Sequence, residues 1–117
     1  MTPEGKVQAH LRKLVKAEGG LTRKVRWEGR RAAPDLLVLL YGTTWVECKA
    51  PGEKPKPHQV EEHRRMRERG ADVRVIDTIE GCELLVAELV ARRYDGPVKG
   101  RRRRNRVNEN LQDVRRR

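Results

Sequence analysis

Apolar residues along the chain recur every three or four positions in some segments and every second position in others, and the alternation lays out the elements. Val7, Leu11, Leu14 and Val15 lie at helical spacing behind Thr2-Pro3, a start in which Thr caps and Pro sits in the first turn. Gly19-Gly20 ends that helix. From Leu21 to Gly29, Val25 and Trp27 alternate with charge and predict a half-buried strand. Leu36 to Tyr41 is apolar on both faces, as a central strand covered on each side would be, and Trp45 to Lys49 pairs with it. Ala50 to Pro57, with three prolines and a glycine, is a stiff loop. A helix follows from His58 to Arg69, closed by Gly70, then a short strand from Asp72 to Asp77. A second amphipathic helix, Gly81 to Tyr94, carries Cys82, Leu85, Val86, Leu89 and Val90 on one side, and Asp95-Gly96-Pro97 breaks it. The order predicts an α/β sandwich around a small mixed sheet, three antiparallel strands first and one added after a crossover helix. Residues 1–97 form one domain, and 98–117 form a C-terminal tail.

The candidate chemistry lies in the Ala33–Lys49 hairpin. Residues two apart on a strand share a face, so Glu47 and Lys49 project together while Val46 and Cys48 point away. Asp35 joins that face only if the turn has an odd length, because a one-residue slip flips every side chain. A three-residue loop, Gly42-Thr43-Thr44, pairing Tyr41 with Trp45 and Leu39 with Glu47, satisfies this; a bulge would do the same. Neighbouring carboxylates disfavour each other's ionisation without a cation between them, which points to Mg²⁺ or Mn²⁺ rather than a soft metal. The alternative for Glu47 and Lys49 is a surface ion pair of little energetic weight. An otherwise apolar strand and the convergence of Asp35 count against it.

Three other features have two readings each. Glu4 lies on the inward stripe of the first helix, yet an acid in a first turn also suits the helix dipole. Gln59 opens the second helix, where it either looks into the site or is an ordinary first-turn residue. Arg30 and Arg31 precede Pro34-Asp35 as phosphate contacts or as a solvated turn. Lys54 and Lys56 lie in the proline-rich loop after Lys49.

Charge narrows the partner. The net charge is +11. Residues 98–117 hold nine Lys/Arg against two Asp/Glu, leaving +4 on residues 1–97. A basic body with a more basic tail suits a polyanion, most commonly nucleic acid. Arg101, Arg102, Arg103 and Arg104 form either a phosphate-contacting arm or a mobile tail. No Phe, two Trp and two Tyr favour reading of backbone or duplex shape over base stacking. Cys48 and Cys82 lack metal-type spacing and read as buried thiols in a reducing cytosol. No apolar run suits a membrane span, and no P-loop or Gly-rich nucleotide motif occurs.

Pro34-Asp35 with Glu47-Cys48-Lys49, in this element order, resembles the PD-(D/E)xK nuclease signature and its restriction-endonuclease-like αβββαβ core. More narrowly, residues 1–80 resemble the VRR-Nuc family of small, often phage-encoded nucleases. The resemblance is carried by Glu4, the Gly-Arg-Arg-Ala-Ala-Pro-Asp approach, Glu47-Cys48-Lys49-Ala50-Pro51-Gly52 and Gln59. Ala33 departs from it, since relatives more often have Gly before the Pro. The resemblance implies that Asp35, Glu47 and the backbone carbonyl of Cys48 bind the metal, with Glu4 completing the acidic site. Lys49 would orient or activate the attacking water, and Gln59 would position Lys49 or the phosphate. It further implies a homodimeric DNA endonuclease acting on branched substrates, Holliday-junction-like or flap. A phage-encoded member would work in the cytosol of its bacterial host.

Overall fold

A computed structural model describes residues 1–95 of the chain; the tail and its arginine run, Arg101 to Arg104, lie outside the described residues. The elements are α1 (Pro3–Ala17), β1 (Leu21–Lys24), β2 (Leu36–Leu39), β3 (Thr43–Cys48), α2 (Pro57–Glu68), β4 (Val73–Ile76) and α3 (Ile79–Asp95). The sheet order is β1-β2-β3-β4, with the first three strands antiparallel and β4 parallel to β3. This is the expected mixed sheet. Among the described residues no helix is long and apolar enough to cross a membrane.

The two faces of the sheet are built from different chemistry. Leu36, Val38, Leu40, Val46 and Cys48 face α1 and α3, where they join Val7, Leu11, Val15, Cys82, Leu85, Val86 and Leu89 in the apolar core. Thr2 caps α1, its hydroxyl accepting from the Gly5 amide at 2.9 Å. The far end of α1 is set down tightly on the sheet: a Cβ on Gly20 would lie 2.8 Å from the Leu39 carbonyl oxygen. Both cysteines are free and buried. Burial pushes the Cys82 thiol up to about 11, and its Sγ lies 3.4 Å from the Val7 carbonyl oxygen as a donor. The other face carries Asp35 and Glu47 beside Leu37, Trp45, Val73 and Val75.

Two expectations require correction. The hairpin pairs Leu36 with Val46, Leu37 with Trp45, Val38 with Thr44 and Leu39 with Thr43. The turn is therefore Leu40-Tyr41-Gly42, not Gly42-Thr43-Thr44. Tyr41 (φ 50) and Gly42 (φ 130) take up the positive backbone angles, which frees two β-branched threonines for the strand that suits them. The loop length remains odd, so the facing of the side chains is as expected. The first strand is also shorter than its pattern, ending at Lys24. Trp27 leaves the sheet to reach α2, because a half-buried indole N–H needs an acceptor and finds one there.

One polar junction ties the late elements to the sheet. Asp72 accepts from Thr44 Oγ1 at 3.1 Å and from Arg74 Nε at 2.6 Å, and Arg92 of α3 pairs with its other side. Burial pushes the Asp72 carboxyl up, but the Arg74, Arg92 and Thr44 donors outweigh it and hold it below the usual value. A depressed carboxylate contributes stability above its unfolded pKa and loses it as pH falls through the folded value. Asp72→Asn should therefore cost about 1–2 kcal/mol at neutral pH. The gap to wild type should close as the pH drops below about 4, which urea unfolding at several pH values would measure.

Candidate active site

β2 and β3 place the acidic pair. One step beyond Leu36 and Val46 in the hairpin register, Asp35 faces Glu47 across the two strands. Asp35 Oδ2 accepts from the Cys48 backbone amide at 2.8 Å, so the strand that carries Glu47 also anchors its partner. Lys49, two residues on, brings Nζ to 3.5 Å from Glu47 Oε2. Glu47 is 2% and Lys49 7% exposed. This is no surface ion pair: water does not screen it, and its charges act at low dielectric.

α2 closes over the pair with a polar stripe at i, i+3, i+4: Gln59, Glu62 and His63. Gln59 Nε2 donates to Glu47 Oε2 at 3.1 Å, while its Oε1 accepts from the Lys56 backbone amide at 2.8 Å. Both readings of Gln59 hold at once, since it caps the helix and holds the carboxylate. Glu47 Oε1 and His63 Nε2 lie 3.9 Å apart, both buried and neither with a hydrogen-bond partner. Burial, with Arg67 adding to it, lowers the His63 pKa and favours the neutral ring. Burial first, then the neighbouring Asp35, raises the Glu47 carboxyl to about 7. Asp35 is raised too, mainly by burial, against the opposing pull of the Cys48 amide and Lys49.

Glu4 stands in the first turn of α1. It acts on Glu47 and Cys48 through its charge, raising both. Among the described residues no three His, Cys, Asp or Glu side chains come close enough to enclose a metal by themselves. A small hard cation needs less, because Mg²⁺ is commonly held by one or two carboxylates with waters filling its shell. Two carboxylates on one face, the half-buried Asp35 raising the buried Glu47, which keeps a free oxygen, fit that donor set. The Cys48 thiol does not contribute, for it points into the apolar core and burial raises its pKa. Only the Cys48 backbone lies at the site.

The basic candidates divide. Arg30 is committed to Glu62 at 2.7 Å, and Glu62 also accepts from Trp27 Nε1 at 2.8 Å. Trp27 packs on Trp45 with ring centroids 5.6 Å apart, so the loop delivering Pro34-Asp35 is pinned to α2. Arg31, Lys54 and Lys56 are exposed. Glu62, His63 and Trp27 were not among the residues expected at the site. The available signal was the sharing of one α2 face by Gln59, Glu62, His63 and Met66, in a helix too polar to cover an apolar sheet.

A mixed sheet between helices, with two acids and a lysine at the ends of two adjacent central strands, is the layout of the PD-(D/E)xK nucleases, and that class describes this domain. No family model matches the chain. A protein described as "Putative nuclease p44", of Acyrthosiphon pisum secondary endosymbiont phage 1, is 42% identical over 86 residues, spanning 72% of this chain and 92% of that one. A solved structure described as a VRR_NUC domain superposes with a TM-score of 0.70 at 44% identity, covering 74% of this chain and 97% of that chain. The chain belongs to the VRR-Nuc family.

The raised Glu47 pKa has a sign that can be checked. Without metal, the folded state holds the Glu47 proton between the ordinary value of 4.5 and about 7, while the unfolded state releases it. Stability of the chelated protein should therefore fall as pH rises through that interval and level off above it. In Glu47→Gln the decline should be much shallower, with Asp35 supplying what remains. Urea unfolding in EDTA across the interval would test this, and an equally steep decline in the variant would contradict it.

Proposed function

We propose that the protein is a metal-dependent DNA endonuclease that hydrolyses phosphodiester bonds in branched DNA and works as a homodimer. The observation that carries the hydrolase reading is the Asp35–Glu47–Lys49 set, with Glu47 and Lys49 buried and Asp35 half-buried, held by Cys48 and Gln59. A protein that only bound nucleic acid would gain nothing from carboxylates buried beside its basic surface, because they repel phosphate. Asp35, Glu47 and the Cys48 carbonyl would hold Mg²⁺ or Mn²⁺, with Glu4 contributing directly or through water. A cation bound there supplies an acidified water and offsets charge growing on the phosphate.

The chain's own groups do the rest. Gln59 fixes one oxygen of Glu47 and leaves the other, opposite His63, without a hydrogen-bond partner. Lys49 presents an ammonium donor beside that carboxylate, where it orients the attacking water and stabilises negative charge on the phosphoryl oxygens. Pro34 and the pinned approach loop hold Asp35 in place. Arg31, Lys54 and Lys56 are the exposed cations flanking the site and suit the neighbouring phosphates, while Arg101 to Arg104 would extend the contact. The branched-DNA preference, the dimer and a place in the host cytosol follow the family resemblance. The dimer also has support on the surface, where Leu84 is 73% exposed and a groove of about 380 Å³ is lined by Leu14, Val86, Ala87 and Val90 between Glu18 and Glu83.

Cleavage of a four-way junction and its matched linear duplex, in Mn²⁺, Mg²⁺ or EDTA, tests the proposal. Wild type should cut only with metal and prefer the junction. Asp35→Asn should lose cutting, and Lys49→Ala should slow it by about a hundredfold or more while still binding DNA. Junction binding without cutting in any metal would indicate a non-catalytic module instead. Light scattering should give twice the chain mass, and a monomer at micromolar concentration would remove the dimer.

A further inference from the structure

Several arginines of the described residues are already paired with acids. On α2, Arg64 and Arg65 pair with Glu61, and Arg64 also with Glu68. At the β4–α3 junction, Arg74 and Arg92 pair with Asp72, and Arg74 also with Glu88. Arg12, Lys13, Lys16 and Arg23 make no ion pair among the described residues. All four are exposed, and they line one cleft of about 400 Å³ between the second half of α1 and the β1 edge of the sheet. No carboxylate lines that cleft. Two of its arginines are anchored on neutral oxygens: Arg12 Nε donates to Thr22 Oγ1 at 3.1 Å, and Arg23 Nη1 donates to the Thr22 carbonyl at 2.8 Å. Their charge is preorganised but not neutralised.

We propose that this cleft is a second phosphate-binding site, which seats the sugar–phosphate backbone of a substrate arm away from the cleavage centre. The inference rests on the nucleic-acid reading above. Arg12 and Lys16 lie eight and twelve residues along α1 from Glu4, or about 12 and 18 Å at the helical rise. That distance corresponds to roughly four or five base-pair steps of a duplex. The cleft therefore grips the flanking duplex rather than the scissile phosphate. Neutralising phosphates releases counterions, so each lost contact lowers the salt dependence of binding by about 0.9 in the log–log slope.

Fluorescence anisotropy with a labelled DNA junction in EDTA, over a salt series, tests the assignment. Arg12→Ala/Lys16→Ala/Arg23→Ala should flatten the slope by about two to three. The exposed pair Lys13→Gln/Lys16→Gln, which disturbs no hydrogen bond of the fold, should flatten it by about one to two. Arg64→Ala/Arg65→Ala removes cations already paired and should leave the slope unchanged. If wild type binds steeply and both cleft variants keep its slope, the cleft does not touch phosphate while the nuclease reading stands. If the α2 variant loses as much slope as the cleft variants, net charge rather than this cleft is responsible, and the assignment fails. If wild type binds no DNA at any salt concentration, the nucleic-acid reading fails and takes the cleft with it.

Discussion

Glu47 is held almost wholly out of water, across one strand from Asp35, with Lys49 as the nearest cation. An isolated buried carboxylate is costly, and two sharing a face are worse. Much of the surrounding structure answers that cost. The Cys48 amide takes one oxygen of Asp35, and Gln59 and Lys49 take one of Glu47. Glu62 and Trp27 fasten the loop that brings Asp35 in. The stability to tolerate this comes from the other side of the sheet, where Leu11, Leu36, Val38, Val46 and Leu89 are fully buried and each contributes about 1.5–3 kcal/mol. One face of the sheet secures the fold, and the other holds the charges.

The distribution of cations follows the same economy. Where Arg64, Arg65, Arg74 and Arg92 lie on α2 and at the β4–α3 junction, each has an acidic neighbour. Where arginines line the outer cleft of α1 and β1, none does. Electrostatic attraction of a polyanion is decided by the unpaired charges rather than by the composition.

The fold was legible because its elements obey simple periods. Val7, Leu11 and Val15 mark α1 by their spacing, and the apolar run from Leu36 marks a covered strand. The facing of Asp35 with Glu47 and Lys49 followed from parity alone, which is why it survived a misplaced turn. The turn itself was not legible. Gly42 marked a turn, but its first residues were Leu40 and Tyr41, and nothing in a leucine–tyrosine pair announces a positive φ. Trp27 was assigned to a strand because alternation cannot register a hydrogen bond to a residue 35 positions away. Gln59 was ambiguous because capping and carboxylate binding make the same demand on sequence position. Glu62 and His63 share the Gln59 face of α2, but only the structure shows that they are buried.

Gln59 constrains what this position can become. Its carbonyl end completes the start of α2, and its amino end meets the Glu47 carboxylate. A glutamate there would keep the first bond but add a third anion to the cluster. A lysine or arginine would keep the second and leave the Lys56 amide open. Asparagine, one methylene shorter, cannot span both ends. A single side chain thus answers a folding requirement and a chemical one together, so a lineage drifting away from hydrolysis would still keep half the reason to retain it. The glutamine is expected to outlast the activity, and its presence in a sequence is weaker testimony to a working site than the presence of Lys49.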